Sequence, residues 1–254
     1  MVRQDAVLAE TVGIRGAGGD PVEAYTARPM DSRPHGGVLV IHHMPGYDRE
    51  AKEIVRRFAV DGYDAICVNL HWRDAPGADP DDAAAASRAN GGVPDDRFVG
   101  DAAAGLRWLR DLPSSNDRVG TIGFCSGGRQ AVLSAIELDV QAAIDCYGAF
   151  VVHEPPEGFP VRMRPLADRV GELRAPLLGL FGNDDRNPSP AEVDELEKLL
   201  RDHGRTYEFH RYDDAGHAFF AVDRPAYRVA AATDGWQRIR TFFGRHLTGP
   251  TGEG

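Results

Sequence analysis

Cysteine is scarce in this chain, with three in 254 residues. A small and odd number of cysteines excludes a disulfide framework as the source of stability. The sequence also lacks an apolar run long enough to span a bilayer, and it lacks the charged and then apolar leader of a secreted protein. We therefore expect a cytoplasmic protein that has no membrane partner.

Positive charge is also in short supply, since 29 Lys and Arg residues stand against 39 Asp and Glu residues, for a net charge of −10. This balance disfavours nucleic acid and anionic membranes as partners. It does not exclude a small anionic molecule, because a pocket can be locally positive. Internal repeats are absent, and the length suits one large domain. We expect a single domain over residues 1–247, followed by a disordered tail over 248–254.

Strands alternate with helices along most of the chain. Residues 6–14 and 21–28 flank a glycine-rich turn and predict an antiparallel hairpin. Further strands are predicted near 38–41, 65–70, 118–123, 141–147, 176–181 and 206–212, and helices near 49–61, 81–89, 95–111, directly after residue 125, after Ser189 and near 225–246. This order predicts an α/β fold with a mostly parallel sheet and helices on both faces. The proline-rich stretch 149–175 is either a lid or a plain connecting loop.

A sharp turn with glycines on both sides stands between a predicted strand and a predicted helix. Its sequence is Gly123-Phe124-Cys125-Ser126-Gly127-Gly128. A nucleophile elbow has this context, and the position between the flanking glycines is that of Cys125. Ser126 is the alternative nucleophile. A glycine-x-nucleophile-x-glycine motif centred on Ser126 would need glycine at the position of Phe124. The helix N-terminus that follows favours a thiolate. Cys67 and Cys146 lie in apolar, strand-like runs and are expected to be structural.

A cysteine nucleophile needs a base, and the base needs an orienting group. Asp184 and Asp185 follow the predicted strand at 176–181, and we choose Asp185 as the orienting carboxylate. The alternative is that these acids are only turn residues. His217 follows a glycine after the last predicted strand and is the candidate base. The order Cys125, Asp185, His217 is that of the α/β-hydrolases.

Two backbone N–H groups are expected to stabilise the oxyanion that forms when the nucleophile attacks a carbonyl. One belongs to Ser126, which directly follows the nucleophile. The other should come from the loop after the strand at 38–41, and Met44 is the candidate donor. Pro45 in the same loop has no N–H to donate.

The chain resembles the dienelactone hydrolase family over nearly its whole length. The resemblance is carried by the turn around Cys125, the turn at 182–185, the Gly216-His217 pair, and the run Asn69-Leu70-His71-Trp72-Arg73-Asp74-Ala75-Pro76-Gly77. It implies a Cys-His-Asp triad that hydrolyses dienelactones to maleylacetate. It implies no metal and no organic cofactor.

The chain departs from that family at two places. The family has a glutamate in the loop that supplies the second oxyanion donor, and the matching residue here is His43, which we expect to contact the thiolate or the substrate. The alternative is that His42 and His43 only pack or bond to backbone. The family also holds the substrate carboxylate with two arginines. Arg73 matches the first, whereas the second position is Ala221, and the nearby Arg224 is a substitute candidate beside Pro225.

Arg73 predicts the charge of the substrate. A guanidinium binds a carboxylate through two parallel hydrogen bonds, so we expect a small anionic substrate near Arg73. The alternative is a structural salt bridge from Arg73 to Asp74 or to another acid of a loop. For Arg224, the alternative is a solvated residue at the start of the last helix.

The leading hypothesis is a hydrolase of a small ester or lactone that works through an acyl-cysteine. A second is acyl transfer or ring closure in a biosynthetic step, with the same three residues. A third is a ligand-binding domain without catalysis. A metal site built from His42, His43 and His71 is a further alternative, although we expect no metal and no cofactor.

Overall fold

The structure is a computed structural model, and it describes residue 4 and residues 6–248. Within these residues, eight strands form one sheet: β1 (Val7–Arg15), β2 (Pro21–Pro29), β3 (His35–Ile41), β4 (Asp64–Val68), β5 (Ser115–Phe124), β6 (Ala142–Cys146), β7 (Leu177–Gly182) and β8 (Tyr207–Tyr212). Their order across the sheet is β1-β2-β4-β3-β5-β6-β7-β8. The β1–β2 and β2–β4 pairs are antiparallel and the other pairs are parallel. The predicted fold class, with its N-terminal hairpin, is confirmed.

In the part of the chain that the structure describes, six α-helices connect or follow the strands: α1 (Arg49–Val60), α2 (Pro80–Ala89), α3 (Asp95–Arg110), α4 (Ser126–Glu137), α5 (Pro190–Asp202) and α6 (Val229–Leu247). Short 3-10 helices cover Ala17–Gly19 and Ala167–Glu172. The predicted start of α5 is confirmed, since Ser189 and Glu192 form a reciprocal capping box. Within the described part of the chain, no helix is long and apolar enough to cross a membrane.

Apolar side chains cover the sheet on both faces. One layer contains buried residues of α1 and α6, such as Phe58 and Phe243. The other contains buried residues of α3, α4 and α5, such as Phe98, Leu133 and Leu196. The central strands β3, β4, β6 and β7 are buried along their whole length, as expected for parallel strands covered on both sides.

The predicted start of the last helix is wrong by four residues. Residues 225–228 form a turn, and α6 begins at Val229. The Arg228 guanidinium donates to the carbonyl oxygens of Pro225 and Tyr227, at 2.9 and 3.1 Å. The Pro225 carbonyl is one that a helix through this stretch would use for its own backbone hydrogen bonds. The predicted tail lies outside the described residues, apart from residue 248.

The parallel strands end at one common edge of the sheet. The loops that follow β3, β5, β6, β7 and β8 therefore meet at this edge. Each predicted member of the catalytic group lies on one of these loops.

Candidate active site

Cys125 lies between β5 and α4 with φ of 55° and ψ of −120°. A residue other than glycine rarely adopts such a conformation, and it marks a strained turn. The turn is so tight that two of its positions have no room for a Cβ atom and are occupied by glycine. A Cβ at Gly123 would lie 1.8 Å from the carbonyl oxygen of Gly127, and a Cβ at Gly127 would lie 2.3 Å from that of Ile41. The Cys125 N–H donates to the Cys146 carbonyl at 3.0 Å, which ties the turn to β6.

The structure brings Asp185 and His217 together. The Nδ1 atom of His217 lies 2.8 Å from Oδ2 of Asp185. The Asp185 side chain is 3% exposed, and its Oδ1 accepts the N–H of Asn187 at 2.9 Å. Asp184 is exposed, and its backbone N–H bonds to the Ala215 carbonyl. Of the two acids, Asp185 is therefore the one placed to orient the imidazole.

His217 is a strong base in this environment. Burial of the ring favours the neutral form, but hydrogen bonds with Asp185 and Cys125 outweigh it and raise the pKa of His217 to about 10. The ring of Tyr147, which follows β6, lies 5.1 Å from the His217 ring in an edge-on arrangement. The Asp185 carboxylate and the neighbouring sulfur of Cys125 thus both favour the protonated form of the His217 ring.

The pocket beside Cys125 is small, with a cavity volume of about 70 Å³. It is lined by His43, Met44, Glu50, Phe124, Cys125, Tyr147, His217, Ala218, Ala221 and Arg224. A second and more enclosed cavity adjoins it at His43 and Met44, and Ser126 lies on its wall together with residues 161–163 of the irregular stretch. The two predicted oxyanion donors, Met44 and Ser126, thus line one cavity, which adjoins the pocket beside Cys125.

Arg224 and His43, the other two predicted substrate-binding residues, both line the pocket beside Cys125. His43 Nε2 lies 3.0 Å from Oδ2 of Asp48 and 3.3 Å from Nη2 of Arg224. Burial opposes the ionised form of Asp48, but the hydrogen bond from His43 helps to lower the pKa of Asp48 to about 2. The His43 ring is therefore held beside an anion, and Arg224 adds a cation at the mouth of the pocket.

The contacts of Arg73 do not fit the prediction that it binds the substrate carboxylate. Its guanidinium donates to both carboxylate oxygens of Asp101, at 2.7 and 2.9 Å, and to Asp20 at 3.0 Å. Nη2 also donates to the Ala17 carbonyl at 3.2 Å. These partners take up the guanidinium N–H groups that the sequence predicts would hold a substrate carboxylate. Arg73 lines neither the pocket beside Cys125 nor the cavity that adjoins it. The structural salt bridge is the arrangement found, with Asp101 rather than Asp74.

The histidine alternative for a metal site is not supported, because His42 uses both ring nitrogens in hydrogen bonds. Another group of candidate ligand atoms, on His43, Asp48 and Glu50, lies within 4.8 Å of one another. The Arg224 guanidinium already places a positive charge beside that group.

The sequence did not single out Glu50 or Tyr147, and both line the pocket with Cys125. Glu50 resembles an ordinary acid in the first turn of a helix, where it compensates the helix dipole. Burial raises its pKa, and the nearby His43 counteracts the shift. Only the packing of α1 in the folded chain places this residue in the wall of the pocket beside Cys125. Tyr147 has φ of 46° directly after β6, and no sequence motif predicts this conformation.

A mostly parallel sheet with an antiparallel hairpin at one edge and a sharp strand-to-helix turn after the fifth strand is the α/β-hydrolase fold. A crystal structure of a "Putative Dienelactone Hydrolase" from Klebsiella pneumoniae subsp. pneumoniae MGH 78578 matches it with a TM-score of 0.85 and 29% identity. The match covers 95% of this chain and 100% of the other.

Curated relatives agree with this structural match. An Escherichia coli (strain K12) protein named "Putative carboxymethylenebutenolidase" is 34% identical over 249 residues, which is 94% of this chain and 88% of the relative. A Bradyrhizobium sp protein named "Probable 2-oxo-3-(5-oxofuran-2-ylidene)propanoate lactonase" is 30% identical over 237 residues, which is 92% of this chain and 93% of the relative.

The profile of the dienelactone hydrolase family matches residues 22–247, and the chain belongs to this family. It is a lactone or ester hydrolase of the dienelactone hydrolase type.

Proposed function

We propose that this enzyme hydrolyses a small anionic lactone through an acyl-cysteine formed on Cys125. The observation that carries the proposal is the hydrogen-bonded chain from the buried Asp185 through His217 to Cys125 in its strained turn. Such a chain is what an activated thiol nucleophile needs. The free thiol also suits a reducing compartment, and we propose the cytoplasm.

In the first step His217 takes the proton of the Cys125 thiol, which leaves a thiolate beside the imidazolium. The sulfur attacks the carbonyl carbon, and the oxyanion that forms accepts hydrogen bonds from the N–H groups of Ser126 and Met44. As the C–O bond of the lactone breaks, Nε2–H of His217 gives its proton to the leaving alkoxide. A water molecule then attacks the thioester while His217 takes its proton, and the C–S bond breaks. Asp185 holds the imidazole in one orientation throughout.

The thiol assignment is tested by Cys125→Ala, with Cys67→Ala and Cys146→Ala as matched controls. Cys67 and Cys146 are fully buried, and burial raises the pKa of both thiols. We expect lactone turnover to fall by about 10⁴-fold or more in Cys125→Ala, judging by triad knockouts. Both controls should retain turnover. Iodoacetamide followed by peptide mapping should label Cys125 first, and preferential labelling of Cys67 or Cys146 would contradict the assignment.

The anionic charge of the substrate is supported by Arg224 at the pocket and by the carboxylate-bearing lactones in the relatives' names. We expect Arg224→Gln to raise KM for a carboxylate-bearing lactone by about 10- to 100-fold, the range for a hydrogen bond to a charged group. The methyl ester of the same lactone should be unaffected. Arg201→Gln, at an exposed arginine of α5, serves as the control. Equal losses on the charged and neutral substrates would overturn the role of Arg224.

A further inference from the structure

His42 is a buried histidine directly after β3, and both of its ring nitrogens are within hydrogen-bond distance of backbone groups. Its Nε2 lies 3.2 Å from the backbone nitrogen of Leu70, in the loop after β4. Its Nδ1 lies 2.8 Å from the carbonyl oxygen of His43. The exposed fraction of His42 is 2%. It thus links the loop that carries Met44 to the neighbouring loop.

These two contacts fix the protonation of the ring. A backbone N–H can only donate, so Nε2 of His42 accepts from Leu70 and carries no proton. A neutral imidazole then has its proton on Nδ1, which donates to the His43 carbonyl. Burial and the nearby His71 lower the pKa of His42 to about 3, so the ring is neutral near pH 7.

The His43 carbonyl belongs to the same peptide group as the Met44 N–H. This peptide bond is trans, so its carbonyl and its N–H point in opposite directions. A hydrogen bond that holds the carbonyl in place therefore also fixes the direction of the N–H. The loop closes tightly around this bond, because a Cβ at Gly46 would lie 1.7 Å from the His43 oxygen and 2.1 Å from Nδ1 of His42. Gly46 also has φ of 54°.

We propose that His42 is a positioning residue for the oxyanion site: its Nδ1–H holds the His43–Met44 peptide so that the Met44 N–H is directed at the oxyanion. This inference rests on the proposed acyl-cysteine reaction and adds a residue to it. His42 touches neither the substrate nor the thiol in this role. It acts through Met44, so its loss should lower kcat and leave KM nearly unchanged.

Two conservative variants separate the two hydrogen bonds of the ring. Asparagine places an N–H donor near the position of Nδ1 but does not reach Leu70. Glutamine places an acceptor near the position of Nε2 but no donor at Nδ1. We expect His42→Asn to retain kcat within about 5-fold, whereas His42→Gln and His42→Leu should lose about 10²- to 10³-fold, the value of one oxyanion donor. Thermal stability should follow the opposite order, with His42→Gln more stable than His42→Asn.

Alkylation of Cys125 by iodoacetamide separates the positioning role of His42 from a merely structural role. A structural defect at the site would slow alkylation as well as lactone turnover. This reaction displaces iodide from carbon and forms no oxyanion. We expect its rate in His42→Gln to equal that of the wild type while lactone turnover falls. Where a His42 variant does not fold, Gly46→Ala disturbs the same hydrogen bond from the other side and should show the same separation of the two rates.

The proposal is overturned if His42→Gln hydrolyses the lactone at the wild-type rate, or if His42→Asn loses as much as His42→Leu. It is also overturned if alkylation and turnover fall together in the folded variants. Failure of the acyl-cysteine reaction itself has a different signature, which is retained turnover in Cys125→Ala. The two failures are therefore distinguishable.

Discussion

The charge of His217 depends on two neighbours that work against burial. Burial favours the neutral ring, while the Asp185 carboxylate and Cys125 favour the imidazolium, and together they raise the pKa of His217 to about 10. An unperturbed histidine titrates near pH ~6.5. The contribution of the protonated ring to stability is therefore complete below about pH 6.5, and it is lost as the pH rises towards 10.

Replacing Asp185 by asparagine should move this titration to lower pH. The variant keeps the size of the side chain and removes its charge, so the desolvation of the ring is no longer offset by the carboxylate. We expect the NMR titration of the His217 ring to occur well above pH 6.5 in the wild type and clearly lower in Asp185→Asn. Asp184→Asn, at the exposed neighbour, should titrate like the wild type. An unchanged His217 titration in Asp185→Asn would show that the carboxylate does not stabilise the cation.

Arg73 connects three elements rather than binding the substrate. Its guanidinium joins the loop after β4 to α3 through Asp101, and to the turn between β1 and β2 through Ala17 and Asp20. The Asp101 side chain is fully buried, while that of Arg73 is 17% exposed. Removal of one partner of such a pair leaves a buried charge without compensation.

We therefore expect Arg73→Met to lower the free energy of unfolding by about 3–5 kcal/mol, as for other buried pairs that lose one partner. The double variant with Asp101→Leu should recover much of this loss, because no unpaired charge remains. Urea unfolding measures the stability of both variants. Turnover of charged and neutral lactones by the folded variants should stay the same. A selective loss on the charged lactone would restore the substrate role of Arg73.

The sequence predicted which turns carry the residues of the site better than it predicted the contacts between side chains. Cys125, Asp185 and His217 each follow a strand of a parallel sheet, so topology alone brings them to one edge. The partner of Arg73 could not be predicted, because Asp101 lies on a helix whose packing is set by the whole fold. The same holds for Glu50, which α1 presents to the pocket, and for the protonation of His42, which depends on a distant backbone N–H.

The residues of the candidate site are spread over most of the chain, from His43 to Arg224. They meet only because β3 to β8 form one sheet, and α6 closes one face of it. Leu247 at the end of α6 is fully buried, and it packs so closely on β3 that a Cβ at Gly36 would lie 2.6 Å from its carbonyl oxygen. Asn116 at the start of β5 donates to the same oxygen at 2.8 Å. The last turn of α6 therefore supports the centre of the sheet.

If residues 1–247 form one domain, activity and structure should be lost together. Leu247→Ala removes a fully buried side chain, and we expect it to lower the free energy of unfolding by about 3 kcal/mol, within the usual range for a core leucine. In urea, circular dichroism and lactone turnover should fall in one shared transition, shifted to lower urea by the substitution. Leu199→Ala, at a half-buried leucine of α5, should cause a smaller shift. The sheet on which α6 packs also carries the turns of Cys125, Asp185 and His217, so a second transition, or turnover lost well before the helices melt, would contradict the single domain.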